Sequence, residues 1–141
     1  MWPAFWFAAD KTWPPEIDIV EIVNNGKWNT TTESFHNVHG NFVGKITGIT
    51  GKGYKPGFDY GDDFHTFAIE WTPTLVRHYV DNTLVVEREF QWRQNNGAEG
   101  DPVPVVVNLA VGGTWPGPPQ DLSEFPASLD VAYIRVWQKS D

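Results

Sequence analysis

The chain predicts an all-β fold, a β-sandwich of short strands, on three observations. Thirteen glycines and eleven prolines divide its 141 residues into short runs rich in β-branched and aromatic side chains. No segment keeps a 3.6-residue apolar period over three turns, so no helix longer than a single turn is expected, near Asp121 to Phe125. The runs between turn signals number about seven to nine, each of strand length, which suits two packed sheets.

The elements follow in order. Met1 to Ala9 (MWPAFWFAA) reads as a strand, with Trp2, Ala4 and Trp6 on one face and Pro3, Phe5 and Phe7 on the other. Glu16 to Glu21 (EIDIVE) is the second strand, and Asn24-Asn25-Gly26 opens a polar loop through Thr32 that holds the formal sequon Asn29-Thr30-Thr31. Ser34 to His39 is the third strand. Gly44 to Gly57 is a Gly- and Lys-rich connection with a short strand at Val43 to Ile46; it lacks the spacing of a phosphate-binding loop. Phe64 to Trp71, Leu75 to Asp81 and Thr83 to Phe90 form a meander turned at Pro73 and Asp81-Asn82. Val103 to Val111, almost continuously apolar, reads as a strand covered on both faces. Gly112 to Pro119 (GGTWPGPP) must be irregular, because prolines deny it ladder bonds. Leu129 to Gln138 reads as the last strand. No linker or repeat interrupts the chain, so residues 1-141 are expected to form a single domain.

The acidic strand carries the chemistry. Alternation places Glu16 and Asp18 on one face and Ile17 and Ile19 on the other, which would send Glu21 into the apolar layer. A glutamate among core isoleucines is costly, so a one-residue bulge near Ile19-Val20 is expected to return Glu21 to the acid face. Glu16 and Glu21 then stand four strand steps apart, roughly 13 Å between Cα atoms. Side chains leaning together leave their carboxyl groups on the order of 5 to 7 Å apart, which spans the spacing of retaining glycosidases and touches the inverting range. An acidic exposed strand, or half of a cation site, would have the same pattern.

Composition narrows the partners. A formal charge of -8 would repel nucleic acid and anionic membranes, so the expected partner is neutral. The absence of cysteine excludes disulfides, zinc-thiolate sites and a thiol nucleophile. No apolar run approaches the ~18 residues that span a bilayer, and the opening segment lacks the basic region of a signal peptide. Aromatic residues make up 15% of the chain, more than packing needs, and flat rings suit sugar faces.

Five blocks, WPAFWFA, WPPEIDIVE, FHTFAIEWTP, VVVNLAVGGTWPGPP and FPASLDVAYIRVWQ, resemble glycoside hydrolase family 16 in order and spacing over most of the chain. The resemblance implies a jelly-roll β-sandwich of the concanavalin A-like kind and a retaining endo-β-glycanase. In it Glu16 resembles the nucleophile, Asp18 its assisting acid and Glu21 the general acid/base. The bulged E-x-D-x-x-E form looks like the laminarinase-type members, which implies β-1,3-glucan as substrate; agar- and galactan-acting relatives share that form. It also implies an extracellular enzyme, monomeric and without a cofactor. Catalytic domains of this family have further strands before the WPAFW block, so the chain is expected to be truncated at its amino terminus. Ala132 stands where many relatives place a calcium-binding aspartate, so no metal is expected. A glycan-binding jelly roll with weak or no turnover, and a transglycosylase using the same site, are the alternative functions.

Five further residues are candidates for binding substrate. Trp2 and Trp6 share a strand face, and Trp115 lies in the Gly/Pro loop, where a ring has little core to fill; the alternative is core packing. Trp13, ahead of the acids, has the same two readings. His39 resembles the family histidine near the acid/base, or is structural; a metal pair with His36 is disfavoured because their odd spacing puts them on opposite faces. The Asn108 amide must find partners, either a sugar hydroxyl or neighbouring backbone. Glu70 is read as structural.

Overall fold

A computed structural model describes residues 1–26, 30–40, 42–49 and 53–140. Its strands are β1 (Trp2–Ala8), β2 (Glu16–Glu21), β3 (Phe35–His39), β4 (Phe42–Gly48), β5 (Phe67–Thr72), β6 (Leu75–Val80), β7 (Thr83–Phe90) and β8 (Val106–Ala110). They form two four-stranded antiparallel sheets, ordered β3-β2-β1-β8 and β4-β7-β6-β5. The predicted helical turn is a single 3-10 turn, Leu122–Glu124, capped by the Asp121 carboxylate, which accepts from the Ser123 amide at 2.8 Å. No helix among the described residues is long and apolar enough to cross a membrane.

The inner faces of the sheets meet in two apolar clusters. Phe7, Ile17, Ile19, Val76 and Phe90 make one, and Val20, Ile22, Tyr60, Val80, Val85 and Val86 the other, with Phe5 packed against both. Ile17, Val76 and Phe90 are wholly buried. The acidic strand is therefore pressed onto the core by its isoleucines and leaves its carboxylates on the opposite face.

The bulge falls where the spacing of the acids requires it. Along β1 the partners run Phe5↔Val20 and then Trp6↔Asp18; along β3 they run Asp18↔Asn37 and then Glu21↔Phe35. Ile19 has no partner on β1, and His36 alone faces Ile19 and Val20. Both of these residues turn into the core, so the alternation resets and Glu21 emerges beside Glu16 and Asp18. The turn of the β6–β7 hairpin is Asp81-Asn82, both at positive φ (46° and 65°), as a tight hairpin requires.

Three expectations are corrected. Leu129 to Gln138 is not a strand: among the described residues no segment pairs with it, and Val131, Tyr133, Ile134, Val136 and Trp137 are exposed. Alternation predicts an extended backbone, but a strand exists only where a neighbour supplies the ladder. The apolar run Val103 to Val111 pairs only over Val106–Ala110 and only with β1, so it is an edge strand with Val105 and Val111 exposed, not one covered on both faces. The connection after His39 holds a seven-residue strand, β4, longer than Val43 to Ile46. Asn29 of the sequon lies outside the described residues, as do 50–52 of the Gly/Lys-rich segment.

Ile17 lies directly beneath the acid row and is wholly buried. Its truncation to Ala is expected to cost about 2–5 kcal/mol of unfolding free energy, measured by urea denaturation followed through tryptophan fluorescence.

Candidate active site

The outer face of the β3-β2-β1-β8 sheet gathers the predicted residues in rows that cross the strands. His39, Glu16 and Ala8 form one row; Asn37, Asp18, Trp6 and Val106 the next; Phe35, Glu21, Ala4 and Asn108 the third. Trp2 follows one pleat beyond Ala4, opposite Ala110. All three acids are thus on one face, and small Ala4 between Glu21 and Asn108 leaves the floor of the third row low.

Each carboxylate is held by named donors. Trp13 Nε1 donates to Glu16 Oε2 at 3.0 Å, and the Trp13 ring lies 5.8 Å from the His39 ring. His39 Nε2 is 3.0 Å from Asp18 Oδ2 and 3.5 Å from Glu16 Oε1. Both oxygens of Glu21 accept, one from Trp2 Nε1 and one from Asn37 Nδ2, each at 3.1 Å. Trp115 packs edge-on against Trp2 (5.5 Å between centroids) and Phe35 (4.7 Å), the two aromatic neighbours of Glu21. Trp6 Nε1 donates to Asn108 Oδ1 at 2.8 Å. The Asn108 amide oxygen therefore takes the Trp6 indole as a partner.

Burial separates the two glutamates. Glu21 is only 9% exposed, and burial followed by the charge of Asp18 pushes its carboxyl up to about 7, against the smaller opposing pull of Asn37 and Trp2. Glu16 is also raised, by burial and then Asp18, but His39 and Trp13 pull it back. His39 is raised, chiefly by its hydrogen bond to Asp18, which favours the imidazolium beside two carboxylates. The face therefore offers one carboxyl that keeps its proton near neutrality, beside another supported by a cationic ring and an indole donor. Proton transfer and nucleophilic attack need such a pair.

Glu16, Asp18 and His39 each offer an atom within 4.8 Å of the others, close enough to meet one cation. Their bonds to one another and to Trp13 already give every member a partner. His36 lies on the opposite face of β3, buried in the sandwich, as the odd spacing from His39 predicts. Glu70 is exposed, bound to Arg77 and Tyr79 far from the acids.

One member of the site was not singled out from the sequence as functional, and for Trp13 two readings were open. Asn37 holds Glu21, and it shares the parity of His39, so the alternation that places His39 on the acid face places Asn37 there as well. Trp13 is 65% exposed, which removes the packing explanation and leaves its hydrogen bond to Glu16.

The chain is similar to known proteins over most of its length. A family model described as "Glycosyl hydrolases family 16" matches residues 1–134. The chain is 33% identical to a "Beta-glucanase" of Rhodothermus marinus over 155 aligned residues, covering 97% of this chain and 52% of that protein. Among solved structures, an endo-β-1,3-glucanase from Pyrococcus furiosus superposes with a TM-score of 0.63 at 33% identity, covering 89% of this chain and 50% of that one. The laminarinase catalytic domain from Thermotoga maritima MSB8 gives 0.62 at 31%, covering 88% and 52%. The chain spans about half the length of each.

The shift of Glu21 has a stability consequence. Its folded pKa lies above the ordinary value, so the folded state holds the extra proton and stability falls as pH rises from about 4.5 to about 7. The buried His36 and His78 are lowered to about 4 and about 3, mainly by burial, so they act oppositely and stability falls in acid through their range. Comparing Glu21→Gln with wild type cancels the histidines. The variant is expected to be more stable by on the order of 1–3 kcal/mol at pH 8. The gain should shrink steadily toward pH 4.5 in paired thermal melts.

Proposed function

Because the chain belongs to glycosyl hydrolases family 16, we propose that it cleaves internal glycosidic bonds of a β-linked glucan, β-1,3-glucan first, with retention of configuration. The observation that carries this reading is the unequal holding of two glutamates on one strand face. Glu21 is buried and proton-retaining, and Glu16 is less buried and flanked by His39 and Trp13. The substrate class is supported by the solved structures named for β-1,3-glucan and laminarin hydrolysis. A net charge of -8 suits a neutral polymer.

In this reading Glu16 attacks the anomeric carbon as Glu21 protonates the departing glycosidic oxygen, giving a glycosyl ester on Glu16 and an ionised Glu21. Water then enters. Glu21 removes its proton while the hydroxyl bonds to the anomeric carbon, and Glu16 leaves as carboxylate. Two inversions give net retention. Asp18 shares a hydrogen bond with Glu16 and one with His39, so it holds the Glu16 carboxyl in place through both steps. Asn37 and Trp2 hold both oxygens of Glu21 and so fix the direction in which its proton is delivered. The exposed Trp13 face and the Trp115 ring, at the Glu16 and Glu21 ends of the row, offer surfaces on which sugar rings stack. Trp6 and Asn108 form a bonded pair on β1 and β8, and in this reading the Asn108 amide nitrogen is the donor offered to a sugar hydroxyl. The residues 1-141 act within one catalytic domain, as a monomer, on a polymer outside the cell, and no metal takes part.

The deciding assay is release of reducing sugar from β-1,3-glucan, mixed-linkage glucan and agarose, with proton NMR of the first-formed anomer. We expect release from the first and a β-anomer as the initial product. Glu16→Ser is expected to lower kcat by about three orders of magnitude or more, and a chelator to leave the rate unchanged. A folded chain that binds oligosaccharide without releasing sugar, or full activity in Glu16→Ser, overturns the reading.

A second expectation concerns pH. The alkaline limb of kcat/KM reports Glu21, and the Trp2 and Asn37 donors both lower its pKa. Trp2→Phe and Asn37→Ala should therefore each move that limb to higher pH, measured as a full pH–rate profile; an unmoved limb in both would separate it from Glu21.

A further inference from the structure

On the core side of the acid strand lies a polar chain that the chemistry above does not use. His36 stands alone opposite the two bulged residues, and its Nδ1 lies 2.7 Å from the Ile19 carbonyl oxygen. Its Nε2 is 2.9 Å from Ser34 Oγ, which in turn is 2.8 Å from Tyr60 Oη. Ser34 is wholly buried, and His36 and Tyr60 nearly so.

The direction of every proton in this chain follows from its first bond. A carbonyl can only accept, so Nδ1 of His36 must carry the hydrogen. A neutral ring then has Nε2 as an acceptor, which fixes Ser34 as its donor and Tyr60 as the donor to Ser34. Burial holds the His36 pKa down to about 4 and that of Tyr60 up to about 12, so neither end of the chain changes charge across the working pH range. From β7, the Arg88 guanidinium donates through Nη2 to the His36 carbonyl at 3.1 Å, and the His78 ring on β6 packs edge-on at 5.7 Å. The histidine is thus fixed through both its side chain and its backbone.

The bulge is what this arrangement serves. Ile19 sits where both ladders of β2 skip a residue, and there its carbonyl takes the His36 ring as a partner. A buried carbonyl left unpaired costs about 1–3 kcal/mol, and a slip to regular pairing would turn Glu21 toward the core. We propose that His36 is a positioning residue for Glu21: by donating to the Ile19 carbonyl it locks the bulge that sets the acid/base beside Glu16 and Asp18. The role rests on the glycanase reading for its kinetic expression, though not for its geometry.

The test uses His36→Leu, which fills the space without a donor, and His36→Asn, whose amide nitrogen can occupy the place of Nδ1. In the laminarin assay His36→Leu is expected to lose about 10- to 100-fold in kcat, with KM within about twofold, and His36→Asn to recover to within about threefold of wild type. In 13C NMR of carboxyl-labelled protein, which needs no turnover, the Glu21 midpoint should fall toward the ordinary carboxylate range in His36→Leu and stay near 7 in His36→Asn. If wild type releases no sugar, the glycanase reading fails, and the NMR midpoints still decide the His36 contact. If His36→Leu does not fold, Ser34→Ala, which removes only the donor to Nε2, carries the NMR test, with the same fall expected at smaller amplitude. An unmoved Glu21 midpoint in the folded variant, or equal losses in His36→Leu and His36→Asn, overturns the proposal.

Discussion

A single extra residue in β2 governs the arrangement of this molecule. Without the bulge at Ile19-Val20, the side-chain period of two would place Glu21 where Ile22 now packs, among Tyr60, Val80, Val85 and Val86, an environment that cannot hold a carboxylate. With it, two apolar residues enter the core in succession and three acids share the opposite face. The sandwich core and the acid row are thus two sides of one backbone irregularity. The strength with which Ile17, Ile19 and Val20 are buried is also the strength with which the acids are held.

The electrostatics follow from the same placement. Burial beneath Trp2 and beside Asn37 raises Glu21, while Glu16, nearer His39 and the exposed Trp13, is held back. Two chemically identical side chains are held unequally by surroundings that differ by about two pleats of one strand. The resulting site is costly to the folded state near neutral pH, the usual relation between a tuned ionisable group and stability.

Much of this was legible in the sequence, for definite reasons. The β-sandwich could be read from turn residues and alternation, because Gly and Pro act locally and side-chain parity is a property of the strand itself. The bulge was legible because a single misplaced glutamate is energetically decisive. What failed were statements about partners. Leu129 to Gln138 alternates as a strand does but finds no neighbour among the described residues, and Val103 to Val111 is apolar enough for an interior strand yet sits at an edge. Pairing is a non-local fact that a local pattern cannot carry. The same limit applies within the site: the parity of Asn37 was readable, but its bond to Glu21, and that of Trp6 to Asn108 across a hundred residues, were not.

The donors that hold Glu16 and Glu21 include two indoles, and an indole is unlike a lysine or arginine in such a place. Its N–H carries no titrating proton of its own, so it steadies a carboxylate without adding a charge that pH or salt could alter. Its edge faces the acid while its ring remains an apolar plate. A sugar laid on the Trp13 plate would exclude water from the carboxylate bonded at its edge, so occupancy of the groove and proton affinity of the acid become one linked equilibrium. In a groove built this way a ring stacked on the indole would take part in setting the protonation state of the carboxyl at its edge.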